Sequence, residues 1–594
     1  MKIRKDSLPD DTVATIKCIL QKNRIETILC NVKGFEEGWH SCTLELSGIS
    51  NLSTNGKGVE LSHAYASAYA EMLERLQSGF LLDDLFPEKE REQYNIDIPE
   101  DEIINIYHIY FDNIIQGNED GIKKLLRYNK KYGNLYSYFD VKEKKVIKLP
   151  DKLISALCGS NGLSSGNTKE EAYVQGVCEV FERYVNYIIH HELYDANKFP
   201  IIEEIYFLHT HAYTLIKKIE KKGYKVLVKD CTLNGLFPVV GVLVINASKT
   251  RYYFNIGSDV NLDIAIQRCI TEMFQGKDIN IEFRYFMHSF TGEYERFWYL
   301  KNKRTEYAKS IRNGNGKLPR TFFLGEIKNY SNGIIQPFVY GNISNRDAAI
   351  RISAILSKLK VKVYIKDYSY LGFDTLRVYI PGMSETPLWK CEGILDLHND
   401  YYEFIQSYKC KNYEDMAKYM STLLENPVFS GEYSLSTLLK INKSTNKGND
   451  CIVDKDVRFF LAMINLYLDR FDEAFDYLGQ YHGICNIEPR EAYLQNISME
   501  AVIYNVDKDQ FFKYINYTIK SKEMDECIQY YNAFYQIRYN KKIDILQCSE
   551  CNRCGIQQKC NFDNWQTITS NLYQKRDYYE SSYLYNDLFY RNLC

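Results

Sequence analysis

No stretch of this 594-residue chain approaches the ~18–20 uninterrupted apolar residues that a membrane-spanning helix needs. The opening run MKIRKDSLPDD has no apolar core, so a secretory signal is not expected there. Neither sign of charge is in excess, since 74 Lys and Arg stand against 77 Asp and Glu for a net of −3. That balance leaves no basic footprint for nucleic acid or for an anionic membrane surface. The complete G-x-x-x-x-G-K-[ST] pattern is absent, so nucleotide binding cannot rest on a P-loop. Its nearest approach, Asn55-Gly56-Lys57-Gly58, reads as a turn feeding a helix. Proline is scarce, 12 in all, and the chain ends Arg591-Asn592-Leu593-Cys594 with none. Cysteine is not scarce. Most of the 17 lie singly in apolar contexts, as Cys18, Cys158, Cys178 and Cys269 do, which points to free thiols in a cytoplasmic protein.

What is there centres on residues 160–185, SNGLSSGNTKEEAYVQGVCEVFERYV. Glycine-punctuated polar residues pass into a helix at Asn167-Thr168, with Glu170 and Glu171 in the first turn, where carboxylates suit the helix dipole. Glu171, Gln175, Glu179 and Glu182 follow at spacings of four, four and three, a stripe roughly 80° wide on a helical wheel. Val174, Val177, Val180 and Phe181 take the opposite side. No lysine at i+4 pairs with any of these carboxylates, and like charges on one face repel unless something positive lies there. The alternative is a solvated acidic face.

A second copy weighs against that alternative. Glu-x-x-Glu-Arg occurs at Glu71/Glu74/Arg75 and again at Glu179/Glu182/Arg183. In the first copy Tyr65, Tyr69, Met72, Leu73 and Leu76 form an apolar stripe with both glutamates on the far side. A third helix, AIQRCITEMFQG, sets Arg268 and Glu272 one turn apart. Carboxylates from separate helices can hold a hard cation such as magnesium, and the arginines can meet phosphate oxygens.

Strand and helix signals interleave up to about residue 395, predicting an α/β (α+β) domain over 1–395. Residues 224–248 read as two strands around an Asn-Gly turn, and IINIYHIYFDNII as a strand or buried edge. From 411 to 539 the pattern changes to amphipathic helices, with a helix–turn–helix at 458–481 packing through Ala462, Leu466, Ala474 and Tyr477. This resembles tetratricopeptide pairs without a clean 34-residue repeat, and suggests either a surface for a protein partner or a structural cap. A Cys-rich tail at 546–594 holds Cys548, Cys551, Cys554 and Cys560 in the pattern Cys-x-x-Cys-x-x-Cys-x5-Cys. Four thiolates this close can satisfy tetrahedral zinc or an iron–sulfur cluster, with reduced thiols or disulfides as the alternative.

The run at 160–185 closely resembles the signature of the YcaO family, as do 55–76, 258–276 and VYIKDYSYLGFDTLRVYIPGMS at 363–384, in order and spacing. The resemblance covers roughly 1–395 and is nearest to bacterial members with a helical C-terminal extension. It implies ATP-dependent activation of a peptide backbone amide. Glu71, Glu74, Glu179, Glu182 and Glu272 would hold magnesium. Lys5, Thr12, Asn167, Glu171, Arg183 and Arg268 would contact nucleotide or phosphates. It further implies a protein or peptide substrate and a homodimer. The role it suggests first is an accessory factor for β-methylthiolation of a ribosomal protein. The second is azoline or thioamide formation on a ribosomally made peptide. A non-catalytic nucleotide-binding scaffold is the third. The proline-free end departs from the proline-rich tail of many cyclodehydratase members.

Overall fold

The computed structural model describes residues 5–81, 135–191, 199–275, 283–289, 303–385, 400–425, 455–543 and 562–593, with short breaks inside several of these stretches. Its contacts group into two compact units. The first takes Met1–Ser47, Leu52–Leu395 and Asp563–Cys594, and the second takes Asp396–Phe562 with Gly48–Asn51.

The first unit opens with helix α1 (Pro9–Lys22), proline at its start where no amide partner is needed. Strands β1 (Thr27–Gly34), β2 (His40–Leu46) and β3 (Ser53–Gly58) form an antiparallel sheet, and α2 (Leu61–Gln77) follows. The stretch Asn55–Gly58 is therefore a strand and not the turn its glycines suggested. The glycines serve a close approach instead. A Cβ on Gly56 would lie 1.9 Å from the Ala64 carbonyl oxygen, and one on Gly58 2.5 Å from the His63 Cβ, both on α2.

Next come β4 (Leu135–Asp140), β5 (Lys145–Pro150), α3 (Asp151–Cys158), β6 (Leu163–Gly166) and the long central helix α4 (Lys169–His191). The hydroxyl of Thr168 caps α4 by accepting from the Glu171 amide at 3.2 Å. After β7 (Ile201–Ile202) and α5 (His211–Lys221), strands β8 (Lys225–Asp230), β9 (Val239–Ile245) and β10 (Arg251–Ser258) lead into α6 (Leu262–Met273). The Asn234-Gly235 turn expected between β8 and β9 is present, with both residues at positive φ, 63° and 81°. Strand β11 (His288–Ser289), α7 (Asn345–Leu359), β12 (Tyr364–Asp367) and β13 (Asp374–Tyr379) complete the series. The strands build two five-stranded antiparallel sheets, ordered β11-β10-β9-β8-β7 and β5-β4-β12-β13-β6.

Helix α4 buries its valine side. Val174, Val177, Val180 and Phe181 share one core with Phe254 and Ile256 of β10 and with Leu376 and Val378 of β13. Helices α5 and α6 cover the other face of the β11-β10-β9-β8-β7 sheet through Leu215, Ile216, Ile266 and Ile270. The fold is mixed α and β, as expected.

The second unit is helical: α8 (Tyr413–Glu425), α9 (Val457–Tyr467), α10 (Phe471–Ile484), α11 (Pro489–Ile503), α12 (Lys508–Thr518) and α13 (Ser521–Arg538) around their own core. Helices α9 and α10 are the anticipated helix–turn–helix, with Ala462, Leu466 and Ala474 fully buried and Tyr477 packed at the margin.

Residues 563–594, from the stretch expected to be a tail, group with the first unit instead. Helices α14 (Phe562–Ser582) and α15 (Leu588–Asn592) lie within the stretch that groups with the first unit, and Tyr585, Phe589, Tyr590 and Leu593 join the α4 core. Cys548, Cys551, Cys554 and Cys560 lie outside the described residues, as does IINIYHIYFDNII.

The returning segment is anchored on charge as well as on rings. Lys169 donates to Asp367 at 2.7 Å and to Asp587 at 2.6 Å. Burial pushes the nearby Asp374 carboxyl up to about 6; Lys169 opposes the rise, and Asp367, Asp587 and Glu170 add to it. A carboxyl raised on folding contributes stability that is complete below its unfolded pKa near 4 and is lost as pH rises through 6. Asp374→Asn should therefore flatten the fall in stability between pH 4 and 7. Its advantage over the native residue at pH 7.5 is of order 1 kcal/mol after solvent screening. Thermal melts of both proteins at pH 4.5 and 7.5 check this, and parallel pH profiles would contradict it.

Candidate functional site

The acidic stripe of α4 organises two neighbouring groups of side chains. At its N-terminal end, Glu171 is buried, and the Lys5 ammonium donates to its Oε1 at 2.7 Å. The Asp6 amide donates to Oε2 at 3.1 Å, and the Asn167 side-chain amide reaches the same oxygen at 3.2 Å. Thr12 of α1 donates its hydroxyl to Asn167 Oδ1 at 2.8 Å. Burial alone would raise the Glu171 carboxyl, but the charge and hydrogen bond of Lys5, with the Asp6 and Asn167 donors, hold it below the usual carboxylate range. Four of the six residues expected to meet nucleotide are thus joined in one network.

Farther along the helix, at about 1.5 Å of rise per residue, lies the second group. Arg183 donates to Glu179 at 3.0 Å, one turn apart on α4. On α2, Arg75 donates to Glu71 at 3.3 Å, and its Nε lies 3.6 Å from Glu74. On α6, Arg268 donates to Gln175 of the stripe, and Glu272 pairs with Lys57 of β3. The same Lys57 also feels Glu182, Glu71 and Glu179. The five carboxylates predicted as magnesium ligands therefore surround a common region fed by three helices and one strand. Among the described residues, however, no three acidic, histidine or cysteine side chains converge closely enough to cage a metal ion. The donors fit a hard cation in kind, being all oxygen, and Glu71, Glu74, Glu179 and Glu272 would each have to leave a basic partner to bind one.

Burial shifts two of these acids upward. It pushes Glu74 well above the usual range, with Arg75 and Arg377 opposing and Glu71 and Glu179 reinforcing the shift. It likewise raises Glu182, against Arg183, Lys57 and Arg268. A buried group of like charges that are only partly neutralised marks a candidate functional site.

Three participants are absent from the sequence-derived set. Lys57 was hidden by its reading as a turn. Arg75 belongs to the duplicated motif but had no role. Arg377 is fully buried on β13, donates to the Gly159 carbonyl at 2.9 Å and adds positive charge behind Glu74. Only the repeated Glu-Arg pair offered a sequence signal, and that signal pointed to Arg75.

Comparison with known proteins fixes the family. Residues 55–384, more than half of the chain, match the YcaO cyclodehydratase, ATP- and Mg2+-binding, family. The chain belongs to the YcaO family. The Escherichia coli ribosomal protein S12 methylthiotransferase accessory factor YcaO is 27% identical over 380 residues, covering 58% of this chain and 60% of that one. A Haemophilus influenzae protein described as uncharacterized is 26% identical over 350 residues, covering 56% of this chain and 57% of that one. The chain thus matches less than two thirds of the length of these curated relatives. Among solved structures, a heterocyclase in complex with substrate and cofactor aligns at TM-score 0.42 with 16% identity, covering 65% of this chain and 54% of that chain. YcaO from Methanopyrus kandleri bound with AMPPCP and Mg2+ aligns at 0.40 with 17% identity, covering 64% and 93%. No described helix in this YcaO protein is long and apolar enough to cross a membrane.

Proposed function

We propose that this YcaO-family chain activates peptide backbone amides by ATP-dependent phosphorylation of the amide oxygen. The observation that carries the reading is the gathering of Glu71, Glu74, Glu179, Glu182 and Glu272 with Arg183 and Arg268, in line on α4 with the Lys5–Glu171–Asn167–Thr12 network. In this reading the five glutamates hold magnesium, and Lys5, Thr12, Asn167, Glu171, Arg183 and Arg268 take the nucleotide. Bound ATP and magnesium supply the phosphoryl group and the neutralisation of its charge. The residues themselves position and screen, which is most of what phosphoryl transfer asks of a protein.

The match to the E. coli accessory factor favours a role in ribosomal protein methylthiolation. The cyclodehydratase description of the family favours a second reading, azoline or thioamide formation on a ribosomally made peptide.

Calorimetric titration of ATP, with magnesium present, tests the common step. The intact protein should bind, and Glu182→Ala should bind at least tenfold more weakly while melting close to the wild type. Equal binding by both would move the nucleotide elsewhere. Binding by neither would leave a scaffold without catalysis as the better reading.

A further inference from the structure

Lys57, like Arg377 behind Glu74, reaches the acidic region from a strand and not from a helix that bears the acids. Arg75 and Arg183 each sit four residues beyond the glutamate they hold, on the same helix, so they follow that helix wherever it goes. Lys57 comes from β3, pairs with Glu272 of α6, and is attracted by Glu71 of α2 and by Glu179 and Glu182 of α4. Among the described residues its ion pair is with Glu272 alone; burial and Arg268 disfavour the ammonium, while Glu182, Glu71 and Glu179 favour it at longer range.

Its placement follows from the residues around it. Side chains alternate along a strand. Thr54 faces α2, where its hydroxyl donates to the Ala68 carbonyl at 2.9 Å, and Gly56 and Gly58 lie against the same helix with no room for a Cβ. Lys57 therefore projects from the opposite side, carried towards the acids by a strand pressed onto α2. Its side chain keeps 35% of its surface exposed, so the four-carbon stem has room to swing.

We propose that Lys57 is an internal counter-ion. Its ammonium fills the place between the glutamates while the site is empty, and turns onto a phosphate oxygen of the nucleotide when metal enters. The inference rests on the ATP and magnesium reading above. A lysine suits this exchange better than an arginine, because it is a compact point charge on a flexible stem. A divalent ion arriving among the carboxylates repels the ammonium, and the polyphosphate beside it offers the replacement partner.

The test is a titration of the full chain with Mn2+ alone, free Mn2+ being followed by electron paramagnetic resonance, and then with Mn2+ and ATP together. Wild type, Lys57→Met and Lys57→Arg are compared, each with a thermal melt, and Lys57→Gln repeats the comparison should methionine disturb the strand. Without nucleotide, Lys57→Met should bind Mn2+ at least tenfold more tightly than wild type, with Lys57→Arg close to wild type. With ATP the order should reverse, Lys57→Met binding the metal–nucleotide complex at least tenfold more weakly. Equal affinities of folded wild type and Lys57→Met in both titrations would overturn the counter-ion and leave the site standing. Binding of neither metal nor metal–nucleotide complex by any of the proteins would instead sink the reading on which the inference rests.

Discussion

Glu74→Gln is expected to melt at or slightly above the wild-type temperature while losing on the order of a thousandfold in ATP turnover with substrate. The two effects have one cause. Glu74 is nearly buried, and Glu71 and Glu179 add negative charge to its surroundings. Its neutralisation is incomplete, since Arg75 lies 3.6 Å away and divides its attention with Glu71. A buried charge so placed raises the energy of the empty protein, and glutamine removes the charge while keeping shape and one acceptor oxygen. The sign agrees with the direction of the carboxyl's shift. An acid raised on folding adds stability only at low pH, and above its folded pKa its ionised form is the cost that glutamine removes. The gain should be about 1 kcal/mol. The same charge is what a magnesium ion would need, so its loss should fall on turnover. A carboxylate present for the fold alone would behave oppositely, its removal costing about 3–5 kcal/mol by stranding a buried guanidinium. A melt and a phosphate-release assay on one preparation separate the cases. A destabilised variant with near-normal turnover would remove Glu74 from the site.

That contrast also shows how far the sequence could be read. The 3.6-residue period assigned the faces of α4 correctly, because Val174, Val177, Val180 and Phe181 pack on two sheets that demand a continuous apolar side. On α2 the period again separated Glu71 and Glu74 from the apolar stripe. It could not say that the far side is covered too, because what covers it comes from elsewhere in the chain. Arg377 of β13 lies some three hundred residues away in sequence. Lys57 was lost for a related reason. Glycine beside a polar residue usually marks a turn, and here it marks a strand pressed on a helix, a difference set by Ala64 and Ala68 rather than by local preference. The stretch 546–594 reads as a Cys-rich tail because its four clustered cysteines dominate the local pattern, and nothing in it signals that the tyrosines and Phe589 near its end pack inward. Their rings are in fact part of the α4 core.

The segment so misread gives the other large effect. Asp367→Ala should lower stability by about 3–5 kcal/mol, the cost of removing a buried carboxylate from under Lys169 and its other donors, with the partly exposed Asp587 left as the ammonium's remaining carboxylate. The Asp367 side chain is fully buried. It accepts from Lys169 at 2.7 Å, from Tyr590 at 2.8 Å, from Tyr579 at 3.0 Å and from the Ser369 amide at 2.9 Å. Burial would raise its carboxyl, but Lys169 and Ser369 hold it below the usual range, so its contribution is present above the unfolded pKa near 4 and is lost as pH falls through the folded value. Asp374, on the adjoining strand, loses its contribution in the opposite direction, and the pair should confine maximal stability to mildly acidic pH. Asp367→Asn, which still accepts from the phenols, should cost about half as much. Because Lys169 lies two residues before Glu171 in the first turn of α4, the alanine variant should also weaken ATP binding. Limited proteolysis should then release a fragment near residues 563–594 that the wild type retains. If the alanine variant lost ATP binding and kept its C-terminal segment and melting temperature, Asp367 would belong to the nucleotide site itself. If it lost the segment and bound ATP as before, the anchor would serve the fold and leave the start of α4 to Thr12, Asn167 and Lys5.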